Sequence, residues 1–126
     1  MPSKQGDLAL LNDPIAQELL QSKIPARLAY VWTDGTPRVA PVWFHWNGEE
    51  IIIGTVPGAP KLKALVKNPK VALTIDTEDF PAKILMIRGT VTVEMVEQVP
   101  EYADCATRYL GKEQGIAWME QTGGLF

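Results

Sequence analysis

Histidine and cysteine are almost missing from this sequence: His45 and Cys105 stand alone among 126 residues. Zinc and related metals need several such ligands, so a histidine pair or a multi-cysteine metal site is excluded. One cysteine also excludes an internal disulfide, and a cytoplasmic setting is the expectation. Long hydrophobic runs are missing too. The longest stretches without a formal charge, 39–48 and 51–60, are ten residues each, whereas a membrane-spanning helix needs about 18 or more. The first residues, MPSKQGDLALLNDP, hold no long apolar stretch of the signal-peptide kind. Positive charge is in deficit: 12 Lys and Arg face 15 Asp and Glu, for a net charge of −3. That balance argues against bulk electrostatic binding of nucleic acid.

What is present suffices for a folded core. Hydrophobic residues make up 46% of the chain and charged residues 21%, which is not the composition of a disordered chain. With no repeat, linker or low-complexity segment, residues 1–126 read as one domain. With so few catalytic side chains of the histidine and cysteine type, a bound organic cofactor is the expected carrier of any reaction.

The pattern predicts a helix over 13–22, with Asp13 as N-cap, Pro14 in the first turn, Ile15 and Leu19 on one face and Pro25 as its stop. Three strands should follow, over 26–33, 37–46 and 50–55. They are joined by tight turns at Asp34-Gly35, which supply positive φ angles, and at Asn47-Gly48. The segment PGAP at 57–60 breaks this meander. A helix over 60–67 should turn Leu62, Leu65 and Val66 inward, and Asn68-Pro69 should end it. Strands are expected over 70–76 and 84–96, the second with a period of two from Leu85 to Met95. Tyr102, Cys105, Ala106, Tyr109 and Leu110 form a core-facing helical stripe closed by Gly111, and a last helix covers 112–121. A small barrel with helices at its rim closes such strands; a five-stranded sheet covered on one side is the alternative.

Two segments carry candidate chemistry. Lys61 and Lys63 fall in the first turn of the second helix, where the helix dipole already supplies positive charge. A bound anion turns this arrangement favourable, so a phosphate site is one reading, with Thr55 as a hydroxyl donor; a solvated lysine face is the other. In RVAPVWF at 38–44, Pro41 lies within a strand and marks an edge or bulge open to a ligand or a partner subunit. An ordinary core with one irregular strand is the competing reading. His45 reads as packing, Cys105 as a small buried hydrophobe and Asp76, Glu78 and Asp79 as a solvated loop; Arg88 either pairs with a carboxylate or reaches a ligand.

Three blocks in order, ARLAYVWTDGTPRVAPVWF, IIIGTVPGAPKLKALVKNPKVAL and ILMIRGTVTVE, resemble the pyridoxamine 5′-phosphate oxidase-like flavin-binding split-barrel family over about residues 13–110. The resemblance implies a six-stranded Greek-key split barrel, mainly β with flanking helices, and a homodimer with two FMN molecules in clefts between subunits. It sets Arg38, Val39, Ala40, Pro41, Val42 and Trp43 along the flavin ring and ribityl chain, Thr55 near the phosphate or ribityl, and Lys61 on the phosphate. Where the family often has Ser-Arg-Lys, this sequence has Ala59, Pro60 and Lys61, and Lys63 is the candidate replacement for the missing guanidinium. The family usually closes with a further strand that would start about where this sequence ends, at Phe126. The barrel is therefore expected one strand short, and pyridoxamine phosphate oxidation is not expected. The implied function is an oxidoreductase using FMN, or alternatively the deazaflavin coenzyme, that exchanges hydride with a small-molecule substrate. A non-catalytic flavin- or haem-binding protein is the alternative, and a structural dimer without cofactor a third.

Overall fold

The computed structural model describes residues 6–55, 58–96 and 100–122. Val56 and Pro57, before and within the PGAP segment, and the terminal Gly-Gly-Leu-Phe lie outside the described residues. A 3-10 turn over Leu8–Asn12 leads into helix α1, Pro14–Leu20. The Asp13 carboxylate accepts from the Ile15 N–H at 2.9 Å, and Pro14 opens the helix where its missing N–H costs nothing. The buried stripe is Ala16, Leu19 and Leu20, not Ile15, which is 48% exposed. The helix stops well before Pro25: the Ser22 hydroxyl donates to the Leu19 carbonyl at 2.7 Å and accepts from the Ile24 N–H at 3.2 Å.

Strands β1 (Ala26–Val31) and β2 (Pro37–Val42) form an antiparallel hairpin. Its turn differs from the expected pair of positive φ angles, because only Gly35 has one, at 87°. The Gly35 N–H donates to the Trp32 carbonyl at 2.9 Å and the Trp32 N–H to the Thr36 carbonyl at 2.8 Å. This is a longer loop in which one left-handed glycine rejoins the ladder. Asp34 serves by its side chain, accepting from the Thr36 N–H at 3.0 Å.

The long second strand of the sequence reading is broken. β2 ends at Val42, and the chain leaves the sheet through Trp43 and Phe44 to form β3 (His45–Trp46) with β4 (Ile51–Ile52). The expected strand over 50–55 thus shrinks to two residues. Asn47 holds the β3–β4 turn, its side-chain oxygen accepting from the Glu49 and Glu50 N–H groups at 2.8 and 2.7 Å. Helix α2 runs Pro60–Lys67 as expected, but it buries Ala64 and Leu65 and leaves Val66 69% exposed.

β5 (Lys70–Asp76) and β6 (Ile84–Thr90) complete a four-stranded antiparallel sheet in the order β2-β1-β5-β6. β6 is shorter than the alternating pattern suggests. Its partner begins at Lys70, after Pro69, whose carbonyl takes the Val91 N–H at 2.9 Å as a last link. Helices α3 (Tyr102–Leu110) and α4 (Lys112–Thr122) pack on each other around Gly111, at φ 88°. The six strands, split four and two, and the flanking helices enclose a core built on Leu19, Leu20, Leu28, Phe44, Leu73 and Ile75.

Candidate functional site

β2 is an edge strand, pairing only with β1 among the described residues. The Trp32–Thr36 bond sets the phase of the ladder. Antiparallel rungs alternate, so Arg38, Ala40 and Val42 bond to β1 while Pro37, Val39 and Pro41 turn their backbone outward. Two of those three outward residues are prolines, which have no N–H. The free edge therefore offers three carbonyls and a single donor, the Val39 N–H. Such an edge is a poor template for another strand and open to a ligand. Val39 is 68% exposed, Pro41 is exposed and Ala40 half-buried, while Val42 is buried in the core. Within one chain the Val39 and Pro41 face of this strand therefore meets water. The Arg38 guanidinium lies 4.9 Å over the Trp32 ring.

The second group of predicted residues sits on and before α2. Gly58 has φ 81°, and Ala59 caps the helix without a side-chain hydrogen bond. Pro60 has no N–H to satisfy, and Lys61 and Lys63 follow in the first turn with no acidic residue beside them. Lys61 is half-buried, Lys63 exposed and Thr55 half-buried. Residues two apart point to different sides of a helix. Lys63, but not Lys61, lines a mostly apolar cleft of about 580 Å³ with Leu62, Val66, Val93 and Met95. α2 packs on β1, the neighbour of β2, and the Lys67 ammonium donates to the Thr33 carbonyl at 2.8 Å. The helix is thereby tied to the turn that leads into the edge strand.

Trp43 departs from the other strand residues. Its ring stacks on Tyr109, with centroids 5.1 Å apart and planes 8° from parallel, and lies 5.9 Å from the Tyr102 ring and 6.3 Å from that of Trp118. Beside it the Arg108 guanidinium sits 4.7 Å from both the Phe44 and Tyr109 rings. Arg108 Nη2 donates to the Phe44 carbonyl and, at 3.0 Å, to the Tyr109 hydroxyl, which donates to the Ile24 carbonyl at 3.2 Å. Arg108 Nε is buried with no hydrogen-bond partner among the described residues. Burial raises the Tyr109 phenol above its ordinary pKa, against the lowering effect of Arg108. Sequence reasoning assigned Tyr109 to the stripe and gave Arg108 no role; no motif marks either one.

His45 is half-buried in the β3–β4 ladder opposite Ile52. Cys105 is buried, as the helical stripe implied, and burial pushes its thiol pKa up, away from nucleophile chemistry. Asp76 pairs with Arg27 at 2.8 Å, while Glu78 and Asp79 are exposed. Among the described residues no three His, Cys, Asp or Glu side chains gather to hold a metal, and no helix is long and apolar enough to cross a membrane.

Comparison with known proteins agrees with this architecture. A solved structure described as an F420 reductase is 31% identical, with a TM-score of 0.62, over 76% of this chain and 77% of that one. A haem storage protein from Vibrio cholerae has the same fold at 20% identity and a TM-score of 0.61, over 90% of this chain and 80% of its own. So does an FAD-binding protein from Mesorhizobium loti, at 19% identity and 0.56, over 81% and 75%. Among curated proteins none matches. The family model described as pyridoxamine 5′-phosphate oxidase matches residues 13–122, and the chain belongs to that family, with its split-barrel fold.

Proposed function

We propose that this protein is an oxidoreductase that holds a phosphate-bearing flavin-type cofactor, the deazaflavin coenzyme or FMN, between two copies of the chain, and exchanges hydride with a small-molecule substrate. The observation that carries the reading is the start of α2: a positive-φ glycine, no side-chain cap, and two lysines where the helix dipole disfavours cations. A phosphate there reverses the sign of the electrostatics, and it suits the amide groups of an uncapped helix end. The likeness to an F420 reductase supports the deazaflavin coenzyme as the first cofactor to test.

In this reading Lys61 and the α2 amides hold the phosphate, Thr55 adds a hydroxyl, and Lys63 lines the neighbouring cleft. The stretch from Arg38 to Trp43 orients the ring through the outward backbone of the edge: the Val39 N–H donates, and the carbonyls of Val39, Pro41 and the preceding Pro37 accept. When bound, the cofactor supplies the hydride chemistry, and the protein supplies position and exclusion of water. A second copy of the chain covers the exposed Val39 side of β2 and closes the cleft. A cytoplasmic setting belongs to the same reading.

The test is to purify the protein, titrate it with each cofactor, and follow visible absorbance during turnover with a reduced nicotinamide. Saturable binding of either cofactor, followed by bleaching, is expected. Binding of neither contradicts the proposal. A haem spectrum instead favours the non-catalytic alternative, with His45 as the ligand to examine.

A further inference from the structure

The register that joins β1 to β2 ends at Ala26 and Val42. Carried two residues further, the next bonded rung would join Ile24 to Phe44. That rung is not made. The Ile24 N–H is taken by Ser22 Oγ. Both carbonyls of the missing rung accept instead from adjacent residues of α3: Ile24 from the Tyr109 hydroxyl, Phe44 from Arg108 Nη2. Arg108 and Tyr109 are themselves joined by a 3.0 Å hydrogen bond, and Tyr109 lies flat against Trp43, the residue between the last rung and the missing one.

We propose that Arg108 and Tyr109 are positioning residues for the candidate cofactor strand: they cap the open end of the β1–β2 ladder and fix the point at which β2 leaves the sheet. This inference rests on the reading that β2 orients the cofactor. Neither residue need touch the ligand. Without the cap, Phe44 and Ile24 each leave a carbonyl without its donor, and the ladder frays back through Val42 and Ala40 toward the outward-facing Val39. The guanidinium suits this task because it is planar, so it donates to a carbonyl while lying against two rings.

The test uses Arg108→Met, Arg108→Lys and Tyr109→Phe, with Lys83→Met as a control at the separate Lys83–Glu18 ion pair, whose partners lie 2.7 Å apart. Two readouts are taken at a temperature where every variant is folded: amide hydrogen exchange at Ala40 and Val42, and the dissociation constants of FMN and the deazaflavin coenzyme. Arg108→Met should speed exchange at both amides and weaken cofactor binding by about tenfold or more. Tyr109→Phe keeps the stack on Trp43 and should show a smaller effect of the same kind; Arg108→Lys should restore part of the loss, and Lys83→Met should change neither readout. Unchanged exchange and affinity in both Arg108→Met and Tyr109→Phe, with only the melting temperature lowered, overturns the proposal. If the parent binds neither cofactor, the functional reading fails, and the exchange readout still decides whether the cap holds the strand.

Discussion

Trp43 and Tyr109 lie face to face, 5.1 Å between ring centroids and 8° from parallel, joining the end of β2 to α3. The contact links the edge strand to the helical pair. Trp43→Ala should cost about 2–4 kcal/mol in urea unfolding, below a fully buried aromatic because the ring is half-buried. Tyr109→Phe keeps the stack and loses two hydrogen bonds, one accepted from Arg108 and one donated to Ile24, so about 1–3 kcal/mol is expected. A neutral Trp43→Ala contradicts the contact as a source of stability.

At Gly115, helix α4 comes close to the backbone of α3. A Cβ there would lie 2.9 Å from both the Cα and N of Thr107, backbone atoms that cannot turn away. Gly115→Ala should destabilise by about 1–3 kcal/mol. Gly89→Ala, where a Cβ meets nothing within 4 Å, should stay within about 0.5 kcal/mol. Thermal or urea unfolding of the pair checks the contrast.

The helices and the bounds of β5 were legible because local chemistry sets them. Asp13 and Pro14 start α1, Asn68 ends α2, and Gly111 closes α3, as the caps and turn residues imply. The break at Trp43 was not legible. Residues 37–46 have unbroken strand character, and the interruption is imposed by Ser22, Arg108 and Tyr109 from distant parts of the chain. Val66 was misplaced for a related reason: its spacing fits a buried face, but the residues α2 buries are Ala64 and Leu65. At the site, the lysines and Pro41 were visible as residue types, while which of Lys61 and Lys63 lines the cleft depends on where Val93 and Met95 lie.

Cys105 is 4% exposed, and burial raises its thiol pKa above the ordinary value. Both effects suppress the thiolate. Native protein should resist iodoacetamide at pH about 8, while protein in urea labels fully. Fast labelling of the native protein contradicts the packing of α3.

Asp34 accepts from the Thr36 hydroxyl and amide, and these bonds hold its pKa below the ordinary 3.8. A depressed folded pKa stabilises the turn fully above the unfolded value, and the contribution is lost as pH falls through the folded value. The stability difference between the parent and Asp34→Asn should therefore be larger at pH about 7 than at pH about 2.5. A difference independent of pH contradicts the turn's dependence on the ionised carboxylate.

Val39 is 68% exposed on the edge strand. In the proposed dimer it is covered, so the parent should have twice the 13.9 kDa chain mass in solution, and Val39→Asp should shift it toward the monomer. A parent that is monomeric yet binds cofactor contradicts the shared cleft.

The most direct test of the central claim is cofactor titration of the parent against Lys61→Ala and Lys63→Ala, monitored by visible absorbance and calorimetry. The parent should bind the deazaflavin coenzyme or FMN, and Lys61→Ala should weaken that binding by about tenfold or more, the loss expected for one charge-assisted phosphate contact. A parent that binds neither cofactor, or a Lys61→Ala variant that binds as tightly as the parent, contradicts the placement of the phosphate at the start of α2.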